Sequence, residues 1–188
     1  MSAVAGAPLP YWRLSGFYFA YFALLGGVAP FLSLYFESLG FSPARIGELV
    51  AIPMLMRCIA PNLWGWLGDA TGQRLLIVRV GALLTALCFA GIFWRQDYWW
   101  LAAIMALHSF FWHAVLPQFE AITLAHLGSQ SARYSQLRLW GSVGFILTVV
   151  LLGLLLQRAG MAVYPMAMFG IMLLIAVCST LVPQPPRQ

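Results

Sequence analysis

Charge is scarce in this sequence: only 8% of the 188 residues are charged, and lysine is absent. A soluble domain carries roughly a quarter of its residues as charges to stay in water, so a water-soluble fold is not expected. All ten cations are arginine, and with five acids they leave a net charge of +5, scattered singly along the chain. Without a basic stripe there is no nucleic-acid footprint, and no nucleic-acid partner is expected. Cysteine is sparse as well. Cys58, Cys88 and Cys178 each lie inside an apolar run, without CxxC spacing or a neighbouring histidine. They read as small buried residues, and neither a metal site nor a cofactor is expected. The stretch Met1–Pro10 lacks a basic region leading into a short apolar core with an A-x-A site. A cleaved signal peptide is therefore not indicated, and the first helix should remain in the mature protein.

What the chain has in abundance is apolar length, with 62% hydrophobic residues. A membrane-spanning helix needs about 20 mainly apolar residues to cross ~30 Å of hydrocarbon. Six segments meet that test, at roughly 14–36, 43–67, 75–94, 98–125, 136–157 and 161–182. The fold expected is all-α and transmembrane, a single six-helix bundle over residues 1–188. Turn chemistry separates the segments. Ser42-Pro43 offers a capping hydroxyl and a first-turn proline, and Gly68-Asp69 through Gly72-Gln73, Arg95-Gln96-Asp97, Gly128–Ser131 and Arg158-Ala159-Gly160 follow. Pro183, Pro185 and Pro186 close the last helix. Tyr11-Trp12, Trp94 and Tyr98-Trp99-Trp100 suit the two membrane–water interfaces. With a cytoplasmic amino terminus, Arg13, Arg74, Arg79, Arg133 and Arg187 fall on the inner side and Arg45, Arg95 and Arg158 on the outer. That is a modest positive-inside bias, and an even number of spans returns the carboxyl terminus to the cytoplasm; the cytoplasmic (inner) membrane is the expected location.

The first and fourth helices carry prolines well inside the membrane, Pro30 after Gly26-Gly27, and Pro117. Helix 1 would run outward and helix 4 inward, as two three-helix repeats in inverted topology require. Interrupted helices at corresponding positions of two repeats point to a transporter's binding cavity; packing kinks are the plain alternative.

Ionisable residues inside a span are costly and are presumed paired or functional. On helix 4, Ser109, His113, Pro117 and Glu120 fall within one narrow stripe at 100° per residue, which should face a polar environment. His108 lies a step off that stripe and reads as a hydrogen-bonded structural residue. Arg138 enters helix 5 just before Gly141 and Gly144, which are small enough to admit a close neighbouring helix. Glu120 and Arg138 stand on opposite arms of a hairpin turning near residues 128–131, so they should lie at similar depth within ion-pair reach. Such a pair serves as a gate, as a substrate site or as a structural clamp between helices. Arg57, twelve residues before Asp69, sits near the midplane. A cavity or an acid must meet it there.

Between helices 2 and 3, Gly65 lets another helix approach, Asp69 can accept from the amino end of a neighbouring helix, Gly72 supports a tight turn and Arg74 offers a charge partner. This segment, G-x-x-x-D-x-x-G-x-R, resembles the loop 2–3 signature of the major facilitator superfamily. It departs from the signature at Ala70 and Gln73, where basic residues are usual. Pro117-Gln118-Phe119-Glu120-Ala121 followed by Tyr134 to Phe145 is similar to the branch of lactose permease, phenylpropionate permease and nucleoside–proton symporters. That resemblance implies the first half of a transporter, with Glu120 and Arg138 lining the central cavity as substrate-site residues.

The function expected is secondary active transport of a small polar or anionic organic solute by proton symport and alternating access. Glu120, Arg138, His113 and Arg57 are the candidate binding residues, and Gly65, Asp69, Gly72 and Arg74 form the gating motif. Membrane lipid, the solute, protons and a second six-helix bundle are the expected partners. A truncated or partner-dependent membrane subunit without transport of its own is the alternative. An intramembrane enzyme using His113 and Glu120 as acid and base ranks last, since no Ser or Cys nucleophile has an evident base and the histidines are too dispersed for a metal; the chain is not expected to be an enzyme.

Overall fold

A computed structural model of the chain describes residues 9–185. Pro186, Arg187 and most of Met1–Pro10 lie outside the described residues. Within them the chain is helical, with no strand. Its α-helices are α1 (Tyr11–Ser38), α2 (Pro43–Thr71), α3 (Arg74–Phe89), α4 (Tyr98–Leu127), α5 (Tyr134–Ala159) and α6 (Tyr164–Leu181). Five continuous helical stretches are long and apolar enough to cross a membrane, the fourth being Tyr98–Ala159, in which a 3-10 turn (Gly128–Arg133) joins α4 to α5. The chain reverses direction there. Glu120 and Arg138 approach to 3.9 Å, whereas eighteen residues of straight helix would hold them about 27 Å apart.

The helices run past several expected boundaries. α2 continues to Thr71, so Asp69 lies in its last turn and the connection shrinks to Gly72-Gln73. Gly72 ends the helix in the left-handed region, φ +66°, and its N–H donates to the Gly68 carbonyl at 2.9 Å; only glycine adopts that backbone without steric cost. Ser42 precedes Pro43 with extended backbone, as a helix start should, yet its hydroxyl makes no capping hydrogen bond. The side-chain cap belongs to Asp97, whose carboxylate accepts the Trp100 N–H at 3.2 Å at the head of α4.

α1 packs on α5 and α6, α4 packs on α2 and α3, and α3 meets α6. Between α1 and α5 the backbones themselves touch. A Cβ on Gly26 would stand 2.6 Å from the Phe145 carbonyl oxygen, and one on Gly144 would collide with the Phe19 carbonyl. Close approach through small residues is how helices associate when lipid removes the hydrophobic drive between them. α1 and α4 meet through aromatics instead, with Phe17 stacked on Phe119 at 3.8 Å.

Leu55, Leu83, Leu87, Ile146, Leu151 and Val177 all point outward. In water so broad an apolar surface invites aggregation, whereas in a bilayer it faces its own solvent. The same reversal corrects the expectation for cysteine. Cys58 is exposed on α2, and Cys88 and Cys178 are only half-buried, because an apolar run in a membrane helix has a lipid face as well as a core face. Trp12, Trp94 and Trp99 are also exposed, as interfacial anchors should be.

Candidate solute-binding cavity

The site begins with a spacing on α2. Pro53, Arg57 and Pro61 recur every fourth residue, which keeps them on one helix face. Proline has no N–H, so Pro61 leaves the Arg57 carbonyl without its helical donor, and Pro117 on α4 does the same for His113. The freed carbonyls and the two proline-bearing helices then border a common space.

That space is a cavity of about 550 Å³ lined by α1 (Tyr21, Phe22, Leu25, Val28, Ala29, Leu32, Ser33), α2 (Val50, Pro53, Met54, Arg57, Pro61), α4 (Trp112, His113, Leu116, Pro117) and α5 (Arg138). Arg57, His113 and Arg138, named from widely separated stretches of sequence, thus line one cavity. Glu120 is not on the lining. It stands behind Arg138, Oε1 lying 3.9 Å from Nε, and accepts the Tyr134 hydroxyl at 3.1 Å. At 3.9 Å the carboxylate attracts the guanidinium without hydrogen-bonding it, so the donors of Arg138 stay uncommitted. The cation instead lies over the Phe22 ring, 3.8 Å from its centroid, with Tyr18 at 5.7 Å.

Arg57 is fourteen residues from either end of α2, about 21 Å at helical rise, and is exposed to the cavity side. Among the described residues no acid pairs with it. His113 is engaged: its Nε2 lies 3.2 Å from the Pro53 carbonyl. A carbonyl can only accept, so Nε2 carries the ring proton and donates. The ring also stacks on Trp112 at 4.9 Å.

The rest of the expected polar stripe is dispersed. Ser109 is fully buried and donates to the Met105 carbonyl of its own helix. It serves the backbone rather than the cavity. His108 is buried between Phe89 and Trp112, and Pro30 is off the lining, where Ala29 takes its place. The two α2 prolines were not singled out from the sequence. The available signal was their symmetrical placement, four residues either side of a midplane arginine.

The α2–α3 signature is drawn together on the far side of Pro117. Asp69 pairs with Arg74, Arg74 donates to Gln118 Oε1 at 2.9 Å, and Gln118 Nε2 donates to the Trp64 carbonyl at 2.9 Å. Gln118 is almost wholly buried. It abuts Gly68, where an added Cβ would stand 2.5 Å from its Oε1, whereas Gly65 has nothing within 4 Å. The partner of the Asp69 carboxylate is therefore the Arg74 guanidinium, not the amino end of a neighbouring helix. Sequence reasoning missed Gln118, although a lone amide beside a mid-span proline was a visible cue.

Residues 11–188 match the family described as the MFS_1 like family. The maltose permease of Geobacillus stearothermophilus is 32% identical over 176 residues, which cover 90% of this chain and 43% of the permease. A probable 3-phenylpropionic acid transporter of Escherichia coli (strain K12) is 28% identical over 172 residues, 89% of this chain and 45% of that protein. Among solved structures, the nucleoside transporter NupG superposes with a TM-score of 0.85 at 18% identity, over 94% of this chain and 45% of that one. The last likeness speaks for the fold alone. The chain spans just under half the length of these proteins.

Proposed function

The chain belongs to the MFS_1 like family of membrane transporters and is an integral membrane protein corresponding to the amino-terminal half of a major facilitator, and on that premise we propose that it forms one wall of a secondary active transporter for a small anionic organic solute. The solute would move by proton symport with alternating access.

The observation that carries this reading is the pair of guanidiniums, Arg57 and Arg138, on one cavity, with the Glu120 carboxylate 3.9 Å from Arg138. A cation in a low-dielectric site needs a counter-charge, and guanidinium grips carboxylates by two parallel hydrogen bonds. Arg138 is held by π-faces and by a carboxylate beyond hydrogen-bond distance, which leaves its fork free for a solute. In this reading Glu120 and His113 would carry the coupled proton.

The architecture proposed is a bundle of six spans in two inverted three-helix repeats, within residues 1–188, with both termini in the cytoplasm and the protein in the inner membrane. Its support is a symmetry in the packing. Exchanging α1 with α4, α2 with α5 and α3 with α6 maps the main partners onto one another, α1–α5 onto α4–α2 and α3–α4 onto α6–α1, with α3–α6 onto itself. The cavity wall would face a second six-helix bundle, and the signature residues Gly65, Asp69, Gly72 and Arg74, with Gln118, would transmit rocking between bundles at the cytoplasmic end. The relatives are named for a sugar, an aromatic acid and a nucleoside, so likeness alone does not choose among solutes.

The test is uptake of organic anions under an imposed pH gradient. Transport driven by inward proton flow in the wild type, lost in both Glu120→Gln and Arg138→Ala, is the expected result; wild-type uptake in both variants would remove these residues from the site.

A further inference from the structure

We propose that Tyr134 is a positioning residue: its hydroxyl holds the Glu120 carboxylate away from Arg138, so that the guanidinium fork stays open. The proposal rests on the reading above, in which Arg138 receives the solute.

Opposite charges facing each other across a gap between helices tend to close it. A guanidinium and a carboxylate match as two parallel hydrogen bonds at about 2.8 Å. The side chains of Arg138 and Glu120 are each about one-third exposed, so water only partly screens their attraction. Their approach nevertheless stops at 3.9 Å, between Nε and Oε1. Each partner must therefore be held by something else.

For Glu120 the holder is Tyr134. The Oε1 atom that faces Arg138 accepts the Tyr134 hydroxyl at 3.1 Å. Tyr134 stands on α5 four residues before Arg138, on the same helix face and one turn nearer the α4–α5 connection. Hydroxyl and guanidinium thus compete for one carboxylate from adjacent turns. The phenol ring is itself fixed. It lies edge-on to Tyr18, with centroids 6.3 Å apart, and Tyr18 is fully buried and donates its hydroxyl to Thr123 of α4 at 3.2 Å. Packing of α1 on α4 thereby sets where a hydroxyl of α5 can reach. For Arg138 the holder is the Phe22 ring, 3.8 Å away.

The outcome is a counter-charge that does not occupy its partner. Glu120 is close enough to lower the cost of a cation within a span, yet at 3.9 Å it takes none of the guanidinium's donors. Without the Tyr134 hydroxyl, Oε1 loses its hydrogen bond and Arg138 Nε is the donor at hand. A closed pair would then stand where the solute's anionic group has to bind.

The experiment measures phenylglyoxal modification of the purified full-length protein with no solute added, mapped by mass spectrometry, in wild type, Tyr134→Phe and Tyr134→Phe/Glu120→Gln. Phenylalanine keeps the ring against Tyr18 and removes only the hydroxyl. The expected result is that Arg138 reacts about tenfold more slowly in Tyr134→Phe, because a carboxylate now occupies its donors, while Arg57 keeps its wild-type rate. The double variant, which has no carboxylate to close the pair, should return Arg138 to its wild-type rate. Wild-type reactivity of Arg138 in Tyr134→Phe would overturn the proposal, as would slow reaction that persists in the double variant or an equal slowing of Arg57. Since no solute is present, such a result leaves the transport reading standing, and uptake by Arg138→Ala tests that reading separately.

Discussion

α5 meets α1 and α4 in opposite ways. Against α1 it packs glycine to backbone, with Gly26 and Gly144 leaving no room for a methyl group. Against α4, its sequence neighbour across a tight turn, it makes little contact beyond the polar group of Glu120, Tyr134 and Arg138 near that turn. The seam with α1 gains its stability from close dispersion contact, which tolerates no substitution. The gap with α4 is spanned by charge, and charges on either side of a gap can change partners. The first contact holds the helices together; the second is the one the transport proposal needs.

Overpacking the seam should have the largest effect. Gly144→Val forces α1 and α5 apart and is expected to cost about 3 kcal/mol, read as a lowered thermal midpoint in detergent with poor monodispersity. A wild-type midpoint would erase the contrast between the two contacts. At the polar gap the balance reverses. Arg138→Ala removes a side chain about one-third exposed, so stability should change by less than ~1 kcal/mol. Uptake should nevertheless fall about 30-fold or more, the loss expected when one partner of a desolvated charge contact is truncated.

Smaller effects sharpen the comparison at helix ends. Arg79 on α3 donates to the carbonyls of Ser179, Thr180 and Val182, at 3.3, 3.3 and 3.0 Å, and so satisfies groups that the end of α6 leaves orphaned. Arg79→Ala is expected to cost about 1 kcal/mol, seen as faster hydrogen exchange in the last turn of α6. Asp97→Ala should cost about 1 kcal/mol through loss of its cap. Ser42→Ala should be silent in the same denaturation assay, since its hydroxyl caps nothing.

Hydropathy made the helices legible, because spans must be long and apolar whatever they pack against. Their ends were less so. Gly68 and Asp69 read as breakers, yet Gln118 packs on Gly68 and Arg74 pairs with Asp69 within the last turn of α2. The cavity arginines and His113 could be named because charge in a span is rare enough to mark a site. Which cations share a wall could not be read, since that depends on how α2, α4 and α5 splay about α1. Ser109 was misjudged for a local reason. A hydroxyl in a helix can satisfy itself on its own backbone and then needs no polar surroundings.

The central claim, that Arg57 and Arg138 jointly receive an anion, is tested most directly by arginine-directed labelling. Phenylglyoxal modification would be mapped by mass spectrometry with and without an organic carboxylate found to bind the protein. The account predicts that modification of Arg57 and Arg138 slows together when the carboxylate is present, while Arg95 and Arg158 react at unchanged rates. Unchanged labelling of both cavity arginines in the presence of a saturating solute would contradict it.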